Sequence, residues 1–276
     1  CYDLHICEAV LSRVVAQRDT LLRGLSALAE LEALNSLACF SAEQSLACFP
    51  ELDRDAGLSI QNGQHPLVSD QENVPNSTQL TANTRTWVVT GPNAAGKSTF
   101  LRMVGVNCLL AQIGAAVTAQ AMHFAPVRLM TDVRVRDDLA KHESYFLSDV
   151  RRLPRILRDA PVSPPILAFI DEPFRGTNSQ ERTAAGVALL EHLLASGHLV
   201  LVATHEERLA QCAARCSDAE NYHFQEQLIE AGIKFDYCLR PGPAHTKTAI
   251  RILEQEGYPM SFLERARGLM GQEGSF

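Results

Sequence analysis

One stretch of this sequence gathers the residue types that grip phosphate. In GPNAAGKST, Gly91 and Gly96 bracket Pro92, Asn93, Ala94 and Ala95, and Lys97, Ser98 and Thr99 follow at once. The spacing fits G-x-x-x-x-G-K-[ST]. Glycines let the backbone curl so that successive N–H groups point inward at phosphate oxygens. A helix starting near Lys97 adds its positive end, but that dipole contributes only about 0.3–1 kcal/mol for a surface charge. Holding a triphosphate therefore also needs Lys97 on the β- and γ-phosphates and the Ser98 hydroxyl on Mg²⁺. The chemistry this predicts is binding of ATP with magnesium. The plainer alternative is a glycine-rich turn that only caps a helix.

Two further segments supply acid, base and metal-ligand chemistry. The apolar run ILAFID (166–171) ends in Asp171-Glu172, and acids closing a buried strand are costly unless a cation or ligand meets them. Asp171 is predicted to hold Mg²⁺, and Glu172 to orient and deprotonate an attacking water. Thr204-His205 closes a second apolar run. A neutral His205 could hydrogen-bond the γ-phosphate or that water; the alternative is a strand-end histidine satisfied by backbone.

These groups must be positioned by strands. TWVVT (86–90) precedes the glycine-rich turn, 166–171 and 198–204 read as buried strands, and 179–196 reads as a helix. Alternating β and α segments predict an α/β fold, a mainly parallel sheet flanked by helices. Right-handed crossovers then bring the carboxyl ends of all three strands to one edge, where open α/β sheets bind ligands. Residues 61–84 read as loops around short strands. Upstream, residues 1 to about 49 lack proline, and Leu21, Leu25, Leu28, Leu31 and Leu34 recur at helical spacing. That stripe predicts a helical segment ending at Pro50, with its leucines packed in a core. The resulting division is a helical segment over 1–59 and an α/β domain over 60–276.

Bulk properties narrow the function classes. The chain has 276 residues, 46% hydrophobic and 21% charged, as expected of a globular protein. No apolar run reaches the roughly 18 residues of a membrane span, and no secretory signal heads the sequence. Opening on Cys1 inside a helical pattern reads as a segment of a longer chain. Eight cysteines lack CxxC spacing. Cys212 and Cys216, four apart, find no nearby pair to complete a metal site, so reduced thiols in the cytoplasm are the better reading. A net charge of −7 argues against a main grip on nucleic acid within this chain.

The motifs together resemble the ATPase domain of the MutS family of DNA mismatch-repair proteins, a branch of the ABC-type P-loop ATPases. VTGPNAAGKSTFLRMVGVNCLLAQIGAAV (89–117), FIDEPFRGTNSQER (169–182) and LVATHEERLA (201–210) carry the likeness, with FDYCLRPGPAHTKTAIRILEQEGYP (235–259) closing it. GQHPLV (63–68) and NVPNS (73–77) match the entry segment, and 1–59 looks like the tail of the lever and core helices. The spellings ESYF and FRGTNSQER resemble the shorter, divergent members.

The resemblance implies an ATPase working as a homodimer, or with a related subunit, with composite sites at the interface. It places Ser144, in ESYFLSDVRRL, against the partner's γ-phosphate, and Thr177, Asn178 and Ser179 along the same interface. Contact with DNA would come from domains outside this chain, levered through residues 1–49. Helices near 246–270 are expected to help dimerise. Val74 and His65 lie in the neighbourhood of the adenine ring. Two departures stand out: His142 replaces a usual glycine before Glu143, and Ala94 and Ala95 replace residues that are usually Met or Ser and Gly. Alanine tolerates that loop only where φ stays negative. A nucleotide-dependent scaffold without a DNA role remains an alternative. A transporter ATPase subunit would need an LSGGQ-like signature, and ESYF occupies that region.

Overall fold

A computed structural model describes residues 2–53, 57–92, 94–133, 145–158, 164–229, 232–244, 253–254 and 257–272. They fall into two compact units, Cys1–Ser45 and Leu46–Phe276. The first consists of helices α1 (Tyr2–Ala16) and α2 (Arg18–Glu43), neither of which buries a residue. The leucine stripe is therefore not core: Leu21, Leu25, Leu28, Leu31 and Leu34 are 48–65% exposed. Two helices alone do not make the layers that would close over it. The helical section also stops at Glu43 rather than Pro50. Beyond it Cys48 exchanges backbone hydrogen bonds with Val117, at 3.0 and 2.8 Å, which requires extended chain.

The second unit holds a four-stranded sheet of β1 (Glu51–Leu52), β2 (Leu58–Gly63), β3 (Asn76–Leu80) and β5 (Ala121–Phe124), ordered β1-β5-β2-β3. A six-stranded sheet packs nearby. Its members are β4 (Thr86–Thr90), β6 (Arg128–Asp132), β7 (Ile166–Asp171), β8 (Leu199–Ala203), β9 (Ala219–His223) and β12 (Arg240–Pro241). The order is β12-β9-β4-β8-β7-β6, and every pairing is parallel except β12 on β9. A hairpin, β10 (Glu226–Ile229) and β11 (Gly232–Phe235), follows β9.

Every residue of β4, β7 and β8 is buried. Burial on both faces demands the continuous apolar runs seen in the sequence. On one face Trp87 and Val89 meet Phe100, Leu101 and Val104 of α3 (Lys97–Gln112). On the other, Val88 packs with Leu153 and Ile156 of α4 (Tyr145–Arg158), Leu189 of α5 (Ser179–Ser196) and Leu209 of α6 (Glu207–Ala213). The architecture is mixed α/β with helices on both faces of the sheet. A last helix, α7 (Met260–Gln272), leaves Met260, Phe262 and Leu269 exposed. Among the described residues no helix is long and apolar enough to cross a membrane.

Candidate active site

β8 lies between β4 and β7, so three strand ends are neighbours. Each turn continues the pairing one residue past its strand. Glu172 N–H donates to Ala203 O at 2.8 Å, Thr204 N–H to Val89 O at 3.0 Å, and Phe224 N–H to Thr90 O at 3.0 Å. The turn after β4 reverses through positive φ at Gly91 (+137°), Ala94 (+69°) and Gly96 (+107°). A Cβ on Gly91 would lie 2.5 Å from Phe224 O, so that position accepts only glycine. Ala94 does not keep the negative φ that alanine in this loop is expected to need, whereas Ala95 is not among the positive-φ residues. Ala94 carries the left-handed strain of about 1–2 kcal/mol that glycine would not. Asn93 and Ser144, with neighbouring His142 and Glu143, lie outside the described residues.

Lys97, Ser98, Asp171, Glu172 and His205 converge. The Lys97 ammonium, 4% exposed, donates to Gly91 O at 2.7 Å and Pro92 O at 2.9 Å and lies 3.5 Å from Glu172 Oε1. Burial lowers its pKa, and the charges of Glu172 and Asp171 work against that. Ser98 Oγ donates to Asp171 Oδ2 at 2.6 Å. The other oxygen, Asp171 Oδ1, is buried without a hydrogen-bond partner among the described residues.

Glu172 is the most crowded group. His205 Nδ1 lies 2.9 Å and Arg175 Nη2 2.8 Å from its Oε2. The Arg175 contact is an ion pair without hydrogen-bond geometry. Burial pushes the Glu172 carboxyl up, but the His205 hydrogen bond and the charges of His205, Arg175 and Lys97 outweigh it and hold it at about 2. His205 is thus not satisfied by backbone; its ring meets the acid. Thr204 is buried, and its hydroxyl accepts Glu206 N–H at 3.0 Å.

Of the expected interface residues, Asn178 caps α5 by accepting Glu181 N–H at 2.8 Å. Thr177 donates to Glu181 Oε2 at 2.6 Å, and the carbonyl of Ser179 accepts the Thr183 hydroxyl. These are local helix-start tasks.

A cavity of about 770 Å³ opens over the glycine-rich turn. Pro92, Gly96, Lys97, Ser98, Thr99 and Glu172 line it from the turn, α3 and the end of β7; His65, Val74, Phe235 and Tyr237 line it from the segments beside β3 and β11, with the Tyr237 ring next to Gly96. Burial and the Arg102 charge lower the His65 pKa, which favours the neutral ring. The sequence reading missed Phe235, Tyr237, Arg175 and Asn76. Asn76 fastens the loop-built wall: its Nδ2 donates to Tyr237 O at 2.9 Å and its Oδ1 accepts Leu239 N–H at 2.7 Å. An aromatic pair flanking one acid in FDY was the available signal.

The sequence that carries this site has counterparts. A family model described as MutS domain V matches residues 87–272, more than half of the chain. The chain is 35% identical over 269 residues to a DNA mismatch repair protein MutS of Natronomonas pharaonis, covering 96% of this chain and 31% of that protein. It is 37% identical over 218 residues to DNA mismatch repair protein MutS 2 of Halobacterium salinarum, covering 78% of this chain and 25% of that one. The chain thus spans a third or less of the length of these relatives. The match runs from the start of β4 through α7 and takes in the converging strand ends, and on it the chain belongs to the MutS family.

Proposed function

We propose that this chain binds ATP with magnesium and hydrolyses it, as the P-loop ATPase part of a MutS-like protein of the ABC type. One observation carries the reading: Lys97 and Ser98 open α3 directly beside Asp171 and Glu172 at the end of β7, at 3.5 and 2.6 Å. The first turn of α3 offers N–H groups without intrahelical partners, and the cavity over it has room for a ligand.

The residues present fit magnesium. Asp171 Oδ1 is a buried oxygen without a partner, the Ser98 hydroxyl adjoins it, and both are hard oxygen donors. Among the described residues no group of three or more His, Cys, Asp or Glu could hold a metal. That suits an ion that keeps waters and shares phosphate oxygens. Ser98 and Asp171 would hold it, and when bound it supplies charge neutralisation at the phosphates.

Lys97 is spare cationic capacity. Its ammonium rests on two loop carbonyls and Glu172, and a phosphate oxygen is a stronger partner. Moving it off Glu172 removes one cation that depresses that carboxyl. Glu172 then orients the attacking water, with His205 fixing its second oxygen. A carboxyl held near 2 is a weak base at neutral pH, so orientation is the larger share of its role. From the loop-built wall of the cavity, Tyr237 and Val74 flank the adenine.

The names of the relatives and the family match support a part in DNA mismatch repair. With a net charge of −7, contact with DNA falls to domains outside this chain, and hydrolysis gates a dimer through residues including Ser144 and α7. The test is ATP turnover with Glu172→Gln. ATP binding should persist while turnover falls by about 10²-fold or more; turnover at the wild-type rate would remove Glu172 from the reaction.

A further inference from the structure

Glu172 stands on a turn that its own backbone disfavours. Glu172 and Phe174 have φ of +53° and +60°, and Gly176 +87°. Side-chain-bearing residues in the left-handed region cost about 1–2 kcal/mol each. Such conformations persist where the surroundings over-determine them. On one side the turn is tied to β8 through Glu172 N–H and Ala203 O. On the other, a side chain of α4 holds it. Asp149 Oδ2 accepts Phe174 N–H at 2.9 Å, one residue before Arg175.

Asp149 is itself held. It is 9% exposed, and Arg152 Nη2 lies 3.5 Å from its Oδ1. Arg152 Nε reaches Asp132 Oδ1, at the end of β6, at 3.2 Å. A line of charged groups thus runs from the sheet edge through α4 to the backbone of Phe174, and Arg175 returns to Glu172 Oε2 at 2.8 Å. Asp149 does not line the cavity, so contact with nucleotide does not account for it.

We propose that Asp149 is a positioning residue: it fixes the Phe174–Arg175 backbone and so holds Glu172 and Arg175 in place at the reacting end of the site. The proposal rests on the role given to Glu172 above. The phosphate-gripping groups stand on α3, a different element, so loss of Asp149 moves the carboxylate and leaves the nucleotide grip intact. Displacement of a reacting group by about 1 Å can cost roughly 10²-fold in rate.

ATP turnover by the full chain carrying Asp149→Ala or Asp149→Asn tests it, beside the His205 ring signals in histidine-labelled samples. Alanine removes the acceptor, whereas asparagine keeps one. Asp149→Ala is expected to lower kcat about 10- to 100-fold with KM unchanged, and Asp149→Asn to restore most of it. The His205 signals, which report the contact with Glu172, should move in the alanine variant and return in the asparagine one. Wild-type kcat in Asp149→Ala, an equal loss of ATP binding, or asparagine no better than alanine would each overturn the proposal. So would unmoved His205 signals. If the wild-type chain does not hydrolyse ATP, the role of Glu172 fails, and the His205 signals alone still decide whether Asp149 holds the turn.

Discussion

Two walls of the cavity are built differently. The wall at Lys97 and Glu172 hangs from the parallel strands β4, β8 and β7, each buried on both faces, and short-range sequence dictates its turn. The wall at Val74 and Tyr237 is made of loops, joined across 161 residues by an asparagine side chain. A sheet edge fixes charge to within a hydrogen bond, while a loop wall offers shape and aromatic surface. On the proposed function, charge recognition falls to the sheet edge and ring recognition to the loops.

Breaking each wall separately sharpens the contrast. Lys97→Ala should weaken ATP binding by about 10- to 150-fold, the worth of a hydrogen bond to a charged group, about 1.5–3 kcal/mol. Equilibrium titration should also find that it prefers ATP over AMP less than the wild type does. Tyr237→Ala should weaken ATP and AMP alike, by about 10-fold, in line with base–aromatic stacking of about 1–3 kcal/mol. If Tyr237→Ala selectively lost ATP, Tyr237 would serve the phosphates rather than the ring.

The remaining predictions concern stability at the sheet-built wall. The Glu172 carboxyl is held near 2, below its ordinary 4.5. Its ionised form therefore stabilises the fold above about pH 4.5, and that contribution fades as pH falls through about 2. In acid denaturation, the stability difference between wild type and Glu172→Gln should be constant above pH 5 and shrink toward pH 2. A difference that grew on acidification would show that the cations around Glu172 do not favour its charge. The smallest effect belongs to Ala94→Gly. Relief of positive φ outweighs the added freedom of the unfolded chain, for a gain of up to about 1 kcal/mol in thermal unfolding.

The same contrast explains what was legible beforehand. TWVVT, ILAFID and LVLVA announce themselves because strands covered on both faces must be apolar throughout, and their bounds fall within one residue of those read from the sequence. The glycine–lysine turn is legible because its backbone geometry restricts residue type. Asn76 and Tyr237 were not, since nothing local marks an amide that fastens a loop far along the chain. Asp149 looks like any acid on a charged helix until Phe174 N–H is seen pointing at it. The leucines of α2 misled for a different reason: periodicity predicts a helical face, not the presence of something to cover it.

The backbone bonds that carry each turn over to the neighbouring strand have a mechanical consequence. Glu172, Thr204 and Phe224 are laced to Ala203, Val89 and Thr90, so the backbone just past β7, β8 and β9 is fixed to the neighbouring strands. At this sheet edge, rearrangement on nucleotide binding is expected in side chains and in the loops at residues 73–76 and 235–237 rather than at these three joints. The amides of those three laced residues should exchange with solvent as slowly as the sheet itself, with or without nucleotide.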